Sequence, residues 1–404
     1  MKTRPCPFAF VLVLALLGGP AFTNARAAEA RPAKEAKAEK SEKSGKKAGV
    51  PAAEDLFAQP KVYRFKIDLP AAARESLQKV PKQYVKASVS EGGKTCADVG
   101  VRLKGSGSFQ TIDKKPGLAL KFNEFVKNQE LHGRSRFLLN NSTQDATYLS
   151  EAVGGELFRM AGVPAAKVAF ARVEMNGRDL GLYVMTEAAN HDFLSQHFKK
   201  SKGNLYEGSN NDVTDKLEKD GGDDSTDQGD VRALAQAVKE ADPALRLKKL
   251  TPLLDMERFV AFAAVEVLIG HHDGYTMDRN NYRIYHDPAT GQMVFIAHGL
   301  DQLFGKPDEP ILPEWKGLVA KAVFSTPEGR KRYLDKLSEL TATIFKTDTL
   351  RARINELAAT IRPALAERDS AATKAFDESV AKLIERVASR IASVEQQLKA
   401  QAVK

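Results

Sequence analysis

Residues 271–305 read HHDGYTMDRNNYRIYHDPATGQMVFIAHGLDQLFG, and this stretch returns acidic and amide side chains to one place. Upstream, Asp255 can cap a helix in which Met256, Phe259, Val260, Ala263 and Val267 recur at helical spacing, with Gly270 as its stop. Asp273 then follows a buried helix. Tyr282 to His286 is rich in strand formers, Asp287 to Gly291 is a turn cluster, and Gln292 to Ala297 returns as a second strand. Pairing around that turn sets Asn281 nearly opposite Ala297, and Asp301 lies a few residues beyond at about 3.3 Å per residue. Asp273, Asn280 or Asn281, and Asp301 can therefore share a cleft. Nucleotide-dependent phosphoryl transfer requires one carboxylate to orient a hydroxyl, with an amide and a second carboxylate holding a divalent metal. The plainer reading is that these are loop residues satisfying their own backbone; the hairpin and the second Asp weigh against it.

Working outward, the chain opens like an export substrate. Lys2 and Arg4 precede the apolar run Phe8 to Leu17, and Ala25-Arg26-Ala27 has the form of a cleavage site, which predicts a signal peptide over 1–27. Cys6 would leave with it. Cys96 would then be the only mature cysteine, so the fold must stand without a disulfide. Residues 28–58 are predicted as a linker, because Ala, Lys and Glu dominate the stretch to Gly49 and can bury almost nothing. The formal charge of +9 is largely spent in these two segments. What remains is too small and too scattered for a nucleic-acid binder, which needs a basic stripe with aromatic platforms. The basic tail could still associate with an anionic surface.

Roughly 345 of the 404 residues remain, enough for one large α+β domain with an accessory part. Val62 to Leu69 and Val99 to Lys104 alternate as strands. The loop Gly105-Ser-Gly-Ser-Phe109 and the strand Lys115 to Phe122 follow, a layout in which backbone amides and a lysine can meet phosphate. Gly-x-Gly in a hairpin is more often a plain turn. Asp145 to Gly162 is predicted as a helix on which Glu151 and Glu156 are the acids available to pair with a strand lysine, although the plainer reading sets each on a solvated face. Val168 to Glu174 and Leu180 to Glu187 form a hairpin around Asn176-Gly177, with Glu187 placed to face a nucleotide or cap the next segment. Asp215 to Asp230 is an acidic loop only loosely like a calcium site. After Pro313 the apolar positions fall at helical spacing to Val394, which predicts a helical region over 313–404.

From about Tyr63 onward the chain resembles the CotH kinase family, the group named for spore-coat protein H. The matching pieces are Arg102-Leu-Lys-Gly-Ser-Gly-Ser108, the strand from Lys115, Leu139-Asn-Asn141, Phe158 to Pro164, Asn176 to Glu187, Asp273-Gly-Tyr275 through Asn281-Tyr282, and Asp301-Gln-Leu-Phe-Gly305. The resemblance implies a divergent, reduced protein-kinase-like α+β fold over 59–312. It implies transfer of the ATP γ-phosphate, with Mg or Mn, to Ser or Thr of exported or surface proteins. In it Asp273 would orient the hydroxyl, Asp301 with Asn280 or Asn281 would hold the metal, and Arg102, Lys104, Gly105, Ser106, Lys115, Lys121 and Glu187 would serve the nucleotide. The family usually carries Trp-Asp-x-Asp before its Phe-Gly, whereas His298-Gly-Leu-Asp301 keeps only the second Asp. A non-catalytic surface or coat protein reusing the fold is therefore the competing function. A metal-dependent hydrolase on His271, His272, Asp273 and His298 is a third, and it lacks a His-x-x-x-His spacing.

Overall fold

Alternation of apolar and polar residues at period two drives the first half of the chain into strands. The computed structural model describes residues 55–222, 227–367 and 369–402, so the predicted signal peptide and the linker up to residue 54 lie outside the described residues. In chain order the first elements are β1 (Val62–Asp68), α1 (Ala71–Lys79), β2 (Val85–Glu91), β3 (Lys94–Lys104), β4 (Gly117–Lys121), β5 (Arg136–Asn140), α2 (Ser150–Met160), β6 (Val168–Met175) and β7 (Arg178–Glu187). The seven strands close into a barrel in the order β1-β2-β3-β4-β5-β7-β6, with β1 and β6 parallel. Its interior is filled by Phe65, Ile67, Val99, Val101, Leu103, Leu118, Leu120, Phe137, Leu139, Tyr183 and Met185.

There follow α3 (His191–His197), β8 (Leu205–Glu207), β9 (Glu218–Gly221), α4 (Gly229–Val238), α5 (Pro243–Leu250), α6 (Met256–Leu268), α7 (Tyr275–Asp278), β10 (Tyr282–Asp287) and β11 (Gln292–Ala297). A second sheet runs β11-β10-β8-β9. The chain continues with α8 (Leu318–Phe324), α9 (Pro327–Thr343), α10 (Thr347–Ala366) and α11 (Ser370–Ala402). The mixed α and β architecture is as expected. One hydrophobic core joins α2, α6 and β11 to Leu340, Ile354, Ile361, Leu383, Val387 and Val394, so packing is continuous across residue 313.

Local signals account for most boundaries. Asp255 caps α6 by accepting from the Arg258 amide at 3.1 Å, and the Asn176-Gly177 turn has both residues at positive φ, 50° and 76°, as a tight hairpin turn demands. Three expectations shift. The helix expected over 145–162 starts only at Ser150, because the buried Asp145 carboxylate folds back to accept the Thr147 and Ser150 amides at 2.9 Å each. The partner of Ala297 is Tyr282 and not Asn281; Asn281 sits at φ 46° and cannot extend the strand. The end of the predicted linker is packed structure, since Leu56 and Phe57 are buried. Two apolar side chains that close on the barrel end outweigh the polar character of the stretch before them.

That N-terminal segment is held by Arg134, which makes two hydrogen bonds to the Asp55 carboxylate at 3.0 and 2.6 Å and an ion pair with Glu187 at 3.0 Å. The Glu187 side chain is only 2% exposed. Removing one member of a buried pair leaves the other charged and unsatisfied. Arg134→Ala is expected to lower stability by about 3 kcal/mol in urea denaturation, and an unchanged midpoint would show that the pairs contribute nothing.

Candidate active site

Strand register fixes what the barrel presents on its outer face. Lys104 pairs with Gly117, Arg102 with Ala119 and Gly100 with Lys121; Ala119 pairs with Leu138 and Lys121 with Arg136; Leu138 pairs with Thr186. Side chains alternate between faces, so Lys104, Arg102, Lys121, Arg136, Asn140 and Leu138 stand together on the face away from the barrel core. Ala119, Leu138 and Ala188 form a small apolar cluster there, flanked by Tyr84. Gly117 between Lys104 and Asn140 has a purpose: a Cβ there would lie 3.3 Å from Lys104 Cγ. Without it, the lysine reaches across the strand and donates to Asn140 Oδ1.

Asn140 Nδ2 in turn donates to Glu151 Oε2 at 2.6 Å, which joins Lys104 on β3 to Glu151 on α2. Of the two readings for Glu151, the pairing with a strand lysine is met through Asn140, and the solvated face is excluded, since the residue is 9% exposed. The reason lies one turn along the helix. A Cβ on Gly154 would be 2.5 Å from Leu303 Cδ1 and 3.4 Å from Leu300 Cδ1, so glycine lets α2 seat directly on the Asp301 segment. A mid-helix glycine costs roughly 1 kcal/mol, and here it is offset by that contact. Burial, then the neighbouring Asp301, push the Glu151 carboxyl up to about 7 against the pull of Lys104. Burial likewise raises Asp301, against Lys104, and burial lowers Lys104 although both carboxylates favour its charge. One ammonium thus serves two carboxylates that repel each other, a group of charges suited to binding an ionic ligand.

The other wall is built on Glu266, the one acid in the apolar stretch from Phe259 to Leu268, wholly buried. Its carboxylate accepts from the amides of Tyr275 and Thr276 at 2.9 Å each and from the Thr276 hydroxyl at 2.5 Å. A Cβ on Gly274 would stand 2.2 Å from Glu266 Oε1, so only glycine admits this grip. His271, 1% exposed, bridges the loops: its Nδ1 is 3.6 Å from Glu266 and its Nε2 lies 3.1 Å from Gly299 O. Asp273 is thereby fixed between Asn280 and Asn281, whose Nδ2 atoms donate to its two oxygens at 3.0 and 2.8 Å. Asn281 Nδ2 also points to Gly299 O at 3.4 Å, which leaves its Oδ1 as an acceptor. Gly299 has φ 62°, and a Cβ there would fall 2.5 Å from Asn281 Cγ. Gly299 thus leaves room for the Asn281 amide in this arrangement.

Of the residues expected from sequence, the structure gathers Asp273, Asn280 and Asn281 into one hydrogen-bonded group, and Lys104 and Asp301 into one electrostatic group with Glu151. Gly105 and Ser106 open the loop beyond Lys104, with Phe109 N bonded to Ser106 O at 3.1 Å. Arg102 shares the Lys104 face and lies over the Tyr84 ring. Lys121 is on that face too, but at its outer row, paired with Glu124 at 2.6 Å. Two nucleotide candidates fall elsewhere. Lys115 precedes β4 and its ammonium lies over the Tyr148 and Tyr183 rings at 5.1 and 5.0 Å. Glu187 pairs with Phe137 across the strands, so it points to the opposite face from Thr186 and is taken up by Arg134, Gln196 and the Lys167 amide. The hydrolase reading also fails: His271 is committed as above, His298 meets Arg283 at 3.2 Å, and among the described residues no group of three His, Cys, Asp or Glu could hold a metal. Asn140, Glu266 and Gly154 were missed. An acid inside an apolar helix was the signal available for Glu266.

Two outcomes test this geometry. Glu151 in the folded protein keeps its proton up to about 7, above its ordinary 4.5, so its stabilising share is full below 4.5 and is lost as pH rises through 7. Stability measured from pH 5 to 8 should fall less steeply in Glu151→Gln; equal slopes would place Glu151 outside this environment. Gly299→Ala, strained by φ and by Asn281, is expected to lose on the order of 1–3 kcal/mol, and a neutral substitution would remove the steric argument.

The chain is 20% identical to the inner spore coat protein H of Bacillus subtilis, over 59% of this chain and 71% of that protein. It is 23% identical to the invasin CotH2 of Rhizopus delemar, over 55% of this chain and 43% of that protein, so it spans under half of the fungal relative. Among solved structures it is similar to a Helicobacter pylori proinflammatory kinase, CtkA, at 10% identity, covering 71% of this chain and 95% of that one with a TM-score of 0.35. The HipA–HipB toxin–antitoxin complex of Shewanella oneidensis matches at 15% identity, covering 73% and 68%, with a TM-score of 0.32. Likeness at that level fixes neither the details of the fold nor the chemistry. The family described as CotH kinase protein matches residues 101–394, a span that holds Lys104, Glu151, Asp273, Asn281 and Asp301, and the chain belongs to that family.

Proposed function

We propose that this protein is an exported atypical protein kinase that transfers the ATP γ-phosphate to Ser or Thr of exported or surface proteins. The observation that carries the reading is the pairing of two groups across one site: Lys104, Glu151 and Asp301 on one side, Asp273 held by Asn280 and Asn281 on the other. Asp273, with both oxygens oriented, would accept the hydroxyl proton of the acceptor. Lys104 and the amides of the Gly105-Ser106 loop would meet phosphate oxygens. The apolar patch of Ala119, Leu138 and Ala188 offers a floor for the base.

The donor set also fits a divalent ion. Asp301 and the Oδ1 of Asn281 are hard oxygen ligands, and Mg or Mn in such sites draws its remaining ligands from phosphate and water. When bound, such an ion supplies neutralisation of phosphate charge. Glu187 and Lys115 are not part of this proposal. Export and a coat or surface setting are supported by the Bacillus and Rhizopus relatives; no helix among the described residues is long and apolar enough to cross a membrane.

Gly299 favours a second reading, a non-catalytic coat or surface protein that retains the fold, because one carboxylate that usually accompanies Asp301 is replaced by a residue with no ligating atom. The two readings separate on one protein sample. With ATP and manganese, wild type should melt a few degrees higher by mass action and label itself or a Ser/Thr-rich acceptor from γ-labelled ATP. Asp301→Ala should lose the labelling and keep its fold. Full labelling by that variant would remove Asp301 from the site, and a wild type that neither shifts nor labels would establish the binding protein.

A further inference from the structure

The segment from Gln302 to Gly317, QLFGKPDEPILPEWKG, contains no Ser, Thr or Tyr and carries prolines at 307, 310 and 313. It runs from the Asp301 carboxylate to the start of α8, the place where a kinase that is switched by modification keeps the loop it reorders. Here no hydroxyl is available to modify. The backbone of the segment is instead bonded along its length to other elements. Phe304 N donates to Ile269 O at 2.7 Å, just past the end of α6, and Lys316 N donates to Thr276 O at 2.8 Å beside the Asp273 loop. Tyr333 of α9 donates its hydroxyl to Ile311 O at 2.6 Å.

The centre of the segment is held by α11. Along that helix Phe376, Val380, Leu383, Val387, Arg390 and Val394 are buried and step by four and three, with Ile391 buried beside them. The next step is Gln397, so two polar residues occupy an apolar stripe. Arg390 is 1% exposed and gives its guanidinium to four carbonyls. Two of them, Val267 at 2.7 Å and Leu268 at 3.3 Å, end α6; the others, Pro307 at 3.1 Å and Glu309 at 2.5 Å, belong to the segment. Gln397 donates to Glu309 O at 3.1 Å and accepts from Ile311 N at 2.9 Å. A buried guanidinium without these partners would be costly, so the helix, the end of α6 and the segment hold one another in a single arrangement.

We infer that α11 is a built-in clamp that keeps residues 302–317, and through them Asp301, in the working position without any modification of the chain, with Arg390 and Gln397 as its positioning residues. The inference rests on the kinase reading for its meaning, since it states how that site is regulated: it is constitutively assembled. A partner that displaced α11 would switch the site off.

Hydrogen exchange by mass spectrometry, read with phosphate transfer on the full chain, tests it. In wild type the bonded amides of Phe304, Ile311, Lys316 and Gly317 should be protected, and phosphatase treatment should leave the initial rate of transfer unchanged. Gln397→Ala, at a partly exposed position, should raise exchange across 309–311 by about tenfold or more through local opening. It should lower kcat while the ATP-induced melting shift and the KM for ATP stay as in wild type. Arg390→Lys should act in the same direction and more strongly. Fast exchange at those bonded amides in wild type, unaltered exchange and kcat in Gln397→Ala, or loss of transfer after phosphatase would each overturn the clamp. A wild type with protected amides and no transfer would sink the kinase reading and leave the clamp standing as a structural device.

Discussion

The carboxylate of Glu266 is the constraint on which the rest of the site depends. A charge withdrawn from water must be met by donors on every side, and the donors it finds are the backbone and hydroxyl of Tyr275 and Thr276, with His271 alongside. Meeting that demand fixes the turn that carries Asp273. The same histidine reaches Gly299 O, so the loop bearing Asp301 is tied to the loop bearing Asp273. The groups that satisfy a buried acid are thus the groups that position the loops bearing Asp273 and Asp301.

Close approach is the second theme, and glycine supplies it at the points where elements meet. Gly154 lets α2 lie on Leu303, Gly274 admits the Glu266 oxygen, and Gly299 leaves room for the Asn281 amide. Each contact falls within a few residues of Glu151, Asp273 or Asp301. A Cβ at any of them would separate two surfaces whose contact brings charged groups together, which links packing directly to electrostatics. The loss of a carboxylate at 299 belongs to this logic: the space that its side chain would occupy is filled by the amide that orients Asp273.

Much of this was legible in the sequence, in an uneven way. The Tyr282 to Ala297 hairpin, the Asp255 cap, the Asn176-Gly177 turn and the helical C-terminal region all rest on local signals, and local signals survive folding. The hydrogen-bonded group of Asp273, Asn280 and Asn281 could be foreseen because the residues lie within eight positions of one another. Contacts between distant segments could not. Glu151 was one of two acids that could meet a strand lysine, and nothing near it in sequence decides between that and a surface position, because Lys104 and Leu303 arrive from 47 positions before and 152 after. Glu187 failed for a different reason: at period two, one residue decides the face, and it lies on the barrel side. Leu56 and Phe57 were lost in the polar stretch ahead of them, and barrel closure by the parallel pair β1 and β6 leaves no mark on either strand.

In the proposed kinase, Lys104, Asn281 and Asp301 converge on one nucleotide and its metal. A crystal structure of the full chain grown with manganese and a non-hydrolysable ATP analogue, with manganese located by its anomalous signal, measures this directly. The expected map has a single manganese peak bonded to an Asp301 oxygen and to Asn281 Oδ1, phosphate oxygens at Lys104 Nζ, and the base against Ala119 and Leu138. A nucleotide bound elsewhere, or manganese that ignores Asp301 while the analogue is present, would contradict it.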